Sequence, residues 1–162
     1  MPIADYVLVV VDMQSDFSAS LNPDTRANVV REINQAMIND LPVVNLWIPY
    51  ASCLSETGYH QPHAEILDLV KNYPKHFLRE KLFEDGSFAV SQVCKHYCGQ
   101  PAKFRVCGVN ADLCVMATAD GLASTFRQIP VEVVVDACST STPKWTWAKW
   151  RKQGHPANVA LV

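Results

Sequence analysis

An unbroken apolar run, Tyr6-Val7-Leu8-Val9-Val10-Val11, stands near the start of the chain and is rich in β-branched valine. A strand with one wet face alternates apolar and polar residues, whereas a strand that does not alternate must be covered on both faces. That demand points to a sheet with helices on either side. The sequence supplies them. Asn22-Pro23-Asp24 reads as an N-cap followed by proline at the first helical position. Val29, Val30, Ile33, Ala36 and Met37 follow at helical spacing on one face, and Leu41-Pro42 closes the helix. Further strands are expected at 43–48, 76–81, 104–109, 131–135 and 159–162. Helices are expected through Ile66, Leu67 and Val70, over 89–98 and over 113–125. Strands alternating with helices imply right-handed crossovers. The expected fold is therefore one α/β domain over residues 1–162, with three layers, α/β/α, around a mainly parallel sheet of about six strands.

Composition narrows the class of function. Hydrophobic residues make up 49% and charged residues 19%, which excludes a disordered, collagenous or coiled-coil chain. The net charge of −2 argues against broad neutralisation of nucleic-acid phosphates. No apolar run approaches the roughly 18 residues of a bilayer span, so no membrane partner is expected. Met1-Pro2-Ile3-Ala4-Asp5 carries an acid rather than the basic start of a secretory signal, so the expected location is cytoplasmic. The six cysteines are then expected as free thiols.

In a parallel α/β sheet, chemistry gathers at the carboxyl ends of the strands. Three capable residues stand there. Asp12 follows strand one in Val11-Asp12-Met13-Gln14-Ser15-Asp16-Phe17. Lys81 follows strand three in Arg79-Glu80-Lys81-Leu82-Phe83. Cys114 follows strand four in Gly108-Val109-Asn110-Ala111-Asp112-Leu113-Cys114-Val115. A carboxylate accepts a thiol proton, while a lysine cation and a helix N-terminus favour thiolate. Together they make an activated nucleophile.

With these three segments in this order, the sequence resembles the isochorismatase-like cysteine hydrolases, from about Tyr6 to Val135. That group includes nicotinamidases, N-carbamoylsarcosine amidohydrolases and ureidoacrylate amidohydrolases. The resemblance implies that Cys114 is the nucleophile, Asp12 the base and later acid, and Lys81 the cation beside both. It also implies a cis peptide between Val109 and Asn110, which turns the Asn110 N–H toward the site. There it and the Cys114 N–H would form an oxyanion hole. Asn110 and Ala111 depart from the small residue and the threonine usual at these positions, which bears on pocket shape. Gln14, Phe17, Trp47, Tyr50 and Phe88 are the candidate substrate contacts.

Nicotinamidases of this group carry Asp-x-His after strand two and a further histidine, which hold a metal. The matching stretch, Trp47-Ile48-Pro49-Tyr50-Ala51-Ser52, has neither carboxylate nor imidazole, so no metal and no cofactor are expected. His60 and His63 are separated by Pro62, and Cys94, His96 and Cys98 fall short of the four ligands of a structural zinc site. The expected activity is hydrolysis of a C–N bond in a small amide or ureide through a thioester. The alternatives are isochorismatase-type or nicotinamidase activity and, in another class, a non-catalytic scaffold. Trp145, Trp147 and Trp150 sit among Lys144, Lys149, Arg151 and Lys152. They are expected to pack on the sheet or on a second subunit, which makes a homo-oligomer the expected state.

Overall fold

A computed structural model describes residues 4–49 and 61–162. Its strands are β1 (Val7–Val11), β2 (Val43–Trp47), β3 (His76–Glu80), β4 (Phe104–Val109), β5 (Val131–Ser139) and β6 (Val159–Leu161). They form one sheet in the order β3-β2-β1-β4-β5-β6, and every neighbouring pair is parallel. The helices are α1 (Pro23–Ile38), α2 (Ala64–Val70), α3 (Ser87–Val93), α4 (Met116–Thr125) and α5 (Trp147–Arg151). Steps from β1 to β3 run one way across the sheet, and steps from β3 through β4 to β6 run the other way. Right-handed crossovers therefore put α1 and α2 on one face and α3 and α4 on the opposite face. β1 lies between the layers with every side chain buried, as its unbroken apolar run requires.

Local chemistry fixes the element ends. The Asn22 side chain accepts from the Thr25 N–H at 3.0 Å and Pro23 opens α1. Thr146 caps α5 in the same way, accepting from the Lys149 N–H at 3.3 Å.

Three elements differ from the sequence reading. The helix expected over 89–98 is α3 continued by a π-helical turn, Cys94–Cys98, which Gly99 closes at φ 69°. The helix expected over 113–125 begins two residues earlier with a second π turn, Ala111–Val115, ahead of α4. β5 runs on to Ser139, because a register shift between Val106 and Gly108 re-aligns it with β4.

The C-terminal tryptophans pack on their own domain to different depths. Trp150 is 4% exposed and stacks on His155 with ring centroids 3.6 Å apart. His155 reaches Asp120 of α4 at 2.9 Å. Trp145 and Trp147 are half-buried and pack edge to face at 4.8 Å. The basic side chains around them stay exposed.

The direction of chain progression reverses between β1 and β4. In an open parallel sheet that reversal leaves a crevice at the strand carboxyl ends.

Candidate active site

Asp12 is the first residue beyond β1 and has φ 48°, a left-handed conformation that aspartate tolerates better than most residues. Its N–H bonds the Leu46 carbonyl at 3.0 Å, and the turn that follows is closed by Gln14 N–H to the Asp12 carbonyl at 2.7 Å. The bend drives the carboxyl group into the crevice, where it is fully buried.

Gly108 lets β4 approach β1 closely just before this bend. This residue lies opposite Val11 in the β1–β4 ladder at φ 119°, and a Cβ there would fall on the Val11 carbonyl oxygen and amide nitrogen. No L side chain fits that conformation and that spacing together. Gly108→Ala should destabilise the fold by about 3 kcal/mol or more. Urea unfolding measures this, and an unchanged midpoint would show that the close approach is unnecessary.

Lys81 leaves the end of β3 with its ammonium buried. Nζ lies 2.8 Å from Asp12 Oδ2, 2.9 Å from the Phe83 carbonyl and 3.3 Å from the Glu84 carbonyl. The ammonium donates to both carbonyls and pairs with the Asp12 carboxylate by charge. The cation both pairs with the acid and ties down the turn after β3. Thr118 of α4 holds the same turn from the other side, accepting from the Gly86 N–H at 3.0 Å and donating to the Glu84 carbonyl at 3.3 Å. Gly86 has no space for a Cβ, which would strike Leu46 and approach Lys81 Cδ to 3.1 Å.

Cys114 sits in the π turn after β4 and is 6% exposed. The Asn110 carbonyl anchors this turn by accepting from the Leu113 and Val115 N–H groups, both at 3.1 Å. Thr140 at the end of β5 donates to Asp112 and pins the turn from outside. The Val109–Asn110 peptide is cis, where the family resemblance places it.

The electrostatics differ from the sequence reading. Burial pushes the Asp12 carboxyl up from 3.8 to about 6, against the pull of Lys81 and the Cys114 thiol. Burial, and then the Asp12 charge, push the Cys114 thiol up to about 12, and Lys81 offsets only part of this. Burial and the Asp12 charge thus work against the thiolate that Lys81 favours.

The other predicted site residues fall in different places. Gln14 is fully buried, its Nε2 donating to the Ile48 carbonyl at 3.2 Å and its Oε1 accepting from the Ile48 N–H at 2.9 Å. It splints the end of β2 to the end of β1. Phe17 is a core residue, and Trp47 is half-buried at the last position of β2. Phe88 is 74% exposed at the start of α3. Tyr50 and His60 lie outside the described residues. Thr118 and Gly86 escaped the sequence reading, whereas Gly108 opens the segment quoted for Cys114. Thr118 was within reach of it, since it stands four residues after Cys114 on one helical face.

A metal centre does not fit the described side chains. Among them no three His, Cys, Asp or Glu groups converge to hold an ion. The His63 Nε2 is engaged by Ser20 at 2.8 Å, and the Ser20 hydroxyl itself donates to the Gln14 carbonyl at 2.5 Å.

Neither a family model nor a curated protein matches the sequence. Solved structures do match in fold. The nicotinamidase of Staphylococcus aureus has 18% identity and a TM-score of 0.73, over 97% of this chain and 98% of that one. An isochorismatase family protein has 12% identity and a TM-score of 0.75, over 98% of each chain. The N-carbamoylsarcosine amidase of Thermoplasma acidophilum has 22% identity and a TM-score of 0.68, over 97% of this chain and 96% of that one. The chain has the isochorismatase-like α/β fold.

Proposed function

We propose that this protein is a hydrolase of C–N bonds in small amides or ureides, with Cys114 as nucleophile. The observation that carries the reading is the buried cluster at the β1–β4 crevice, where Lys81 lies 2.8 Å from Asp12 and both charges act on the buried Cys114 thiol. A structural role would be better served by apolar residues, because a buried ion pair next to a thiol contributes little net stability. The fold shared with two amide-cleaving enzymes points the same way.

In the proposed reaction Sγ attacks the carbonyl carbon and its proton passes to Asp12. The carbonyl oxygen becomes an oxyanion held by the N–H groups of Asn110 and Cys114; the Asn110 N–H donates to no acceptor among the described residues. Asp12 then delivers its proton to the leaving nitrogen as the C–N bond breaks, which leaves a thioester. Water attacks the thioester, giving one proton to Asp12. The Cys114 sulfur leaves and recovers that proton, and the carboxylic or carbamic acid departs. Lys81 keeps its charge throughout and offsets the negative charge that builds beside it. Because Asp12 takes the thiol proton as sulfur meets the carbonyl, it has to be ionised at the start.

That requirement sets the pH dependence. A base titrating at about 6 loses function below that pH, whereas an ordinary carboxylate holds out to about 4. kcat/KM should fall about tenfold per unit below pH 6 and level off above pH 7. A profile flat down to pH 4.5 would remove Asp12 from the role.

A nicotinamidase activity dependent on a metal is disfavoured by the stretch 47–52, which offers neither carboxylate nor imidazole, and isochorismatase-type chemistry leaves the cysteine without a task. Ammonia release from a panel of small amides and ureides, with isochorismate beside them, tests the assignment against Cys114→Ala. Cleavage of an amide or ureide by the parent and not by the variant is expected. No cleavage of any compound would favour the scaffold alternative.

A further inference from the structure

Asn110 occupies the N-cap of the nucleophile's turn, at φ −81° and ψ 138°, in the extended conformation from which asparagine normally caps. It makes no cap bond. Its Oδ1 is buried and has no hydrogen-bond partner among the described residues. Its carbonyl is already engaged, since it takes two N–H groups, and its neighbours Val109 and Ala111 are fully buried. An unpaired buried carboxamide oxygen disfavours the folded state, and leucine of similar size would relieve it. The other neutral orphans, Asn45 Oδ1 within β2 and the indole N–H groups of Trp145 and Trp150, stand away from the nucleophile's turn. Only Asn110 places such an acceptor on the residue whose own N–H serves the oxyanion.

We propose that the Asn110 side chain is a specificity determinant that accepts the retained N–H of a ureido substrate. The inference rests on the hydrolase reading above. A carbonyl held at the Asn110 N–H has its two substituents on either side. One is the leaving nitrogen. The other is carbon in a carboxamide but N–H in a ureide. A buried acceptor on the same residue distinguishes the two, because a site built to accept a hydrogen bond rejects an analogue that lacks the donor.

Phenylurea and phenylacetamide are matched probes that differ by N–H against CH2. Asn110→Leu should lose ten- to a hundredfold more kcat/KM on phenylurea than on phenylacetamide, with a melting temperature equal to or above that of the parent. Equal losses on both probes, or a lowered melting temperature with both activities lost in parallel, would overturn the inference and leave the hydrolase reading intact. Asn110→Ala serves where leucine does not fold. Should the parent cleave neither probe, binding to Cys114→Ala followed by NMR titration still decides. Phenylurea binding that weakens at least tenfold on adding Asn110→Leu supports the contact. Unchanged binding, or no binding of phenylurea, overturns it.

Discussion

Cys114→Ala should fold like the parent and lose catalysis by at least about 10³-fold, up to the order of 10⁶. Removing one sulfur from a site 6% exposed leaves a small cavity, which costs about 1 kcal/mol. For a domain of this size the melting temperature then moves by only a few degrees. The catalytic loss is large because the other thiols of the sheet cannot replace it. Cys107 and Cys138 are also held well above the ordinary thiol range by burial, and no lysine acts on either. A variant that folds and keeps a tenth of the parent's activity would show that Cys114 is not the nucleophile.

Lys81→Met should be the most destabilising change in the site. It leaves Asp12 fully buried without its counter-ion, and breaking a buried pair from one side typically costs about 3–5 kcal/mol. A drop in melting temperature of roughly 6–20 °C follows for a domain of this size. The loss should depend on pH, and the sign is fixed by linkage. Lys81 lowers the Asp12 value, so its removal sends that value further above 6. The folded variant then holds a proton that the unfolded chain, near 3.8, has released. Stability therefore falls as pH rises through that window, and the gap to the parent should be small at pH 5 and widest at pH 8. Adding Asp12→Asn should recover much of the loss at pH 8. Thermal unfolding of the three proteins at both pH values checks this, and an equal loss at pH 5 and pH 8 would mean that the lysine acts through packing alone.

Much of this site was legible in one sequence because of where strands end. The run ending at Val11, the strand before Lys81 and the strand before Cys114 each deliver a reactive residue to the same rim, and a parallel sheet brings those rims together. What was not legible depends on burial. The lysine beside Cys114 suggests thiolate, but desolvation and the neighbouring Asp12 oppose it, and neither can be weighed from spacing. Gln14 reads as a polar residue near the site, yet its amide completes the main chain of Ile48, a partner 34 positions away. The two π turns insert too little length to disturb the apolar periodicity of 89–98 and 113–125. Thr118 looks like an incidental hydroxyl in an apolar helix until the turn after β3 folds back upon it.

The central claim is that Cys114 carries the substrate's acyl group in mid-reaction. Protein turning over an amide or ureide from the panel, quenched in acid within milliseconds and mapped by peptide mass spectrometry, tests it most directly. The account predicts an acyl adduct on the peptide containing Cys114, released by hydroxylamine as a thioester is and missing from Cys114→Ala. Turnover with no adduct on that peptide, or with the adduct on Cys107 or Cys138, would contradict it.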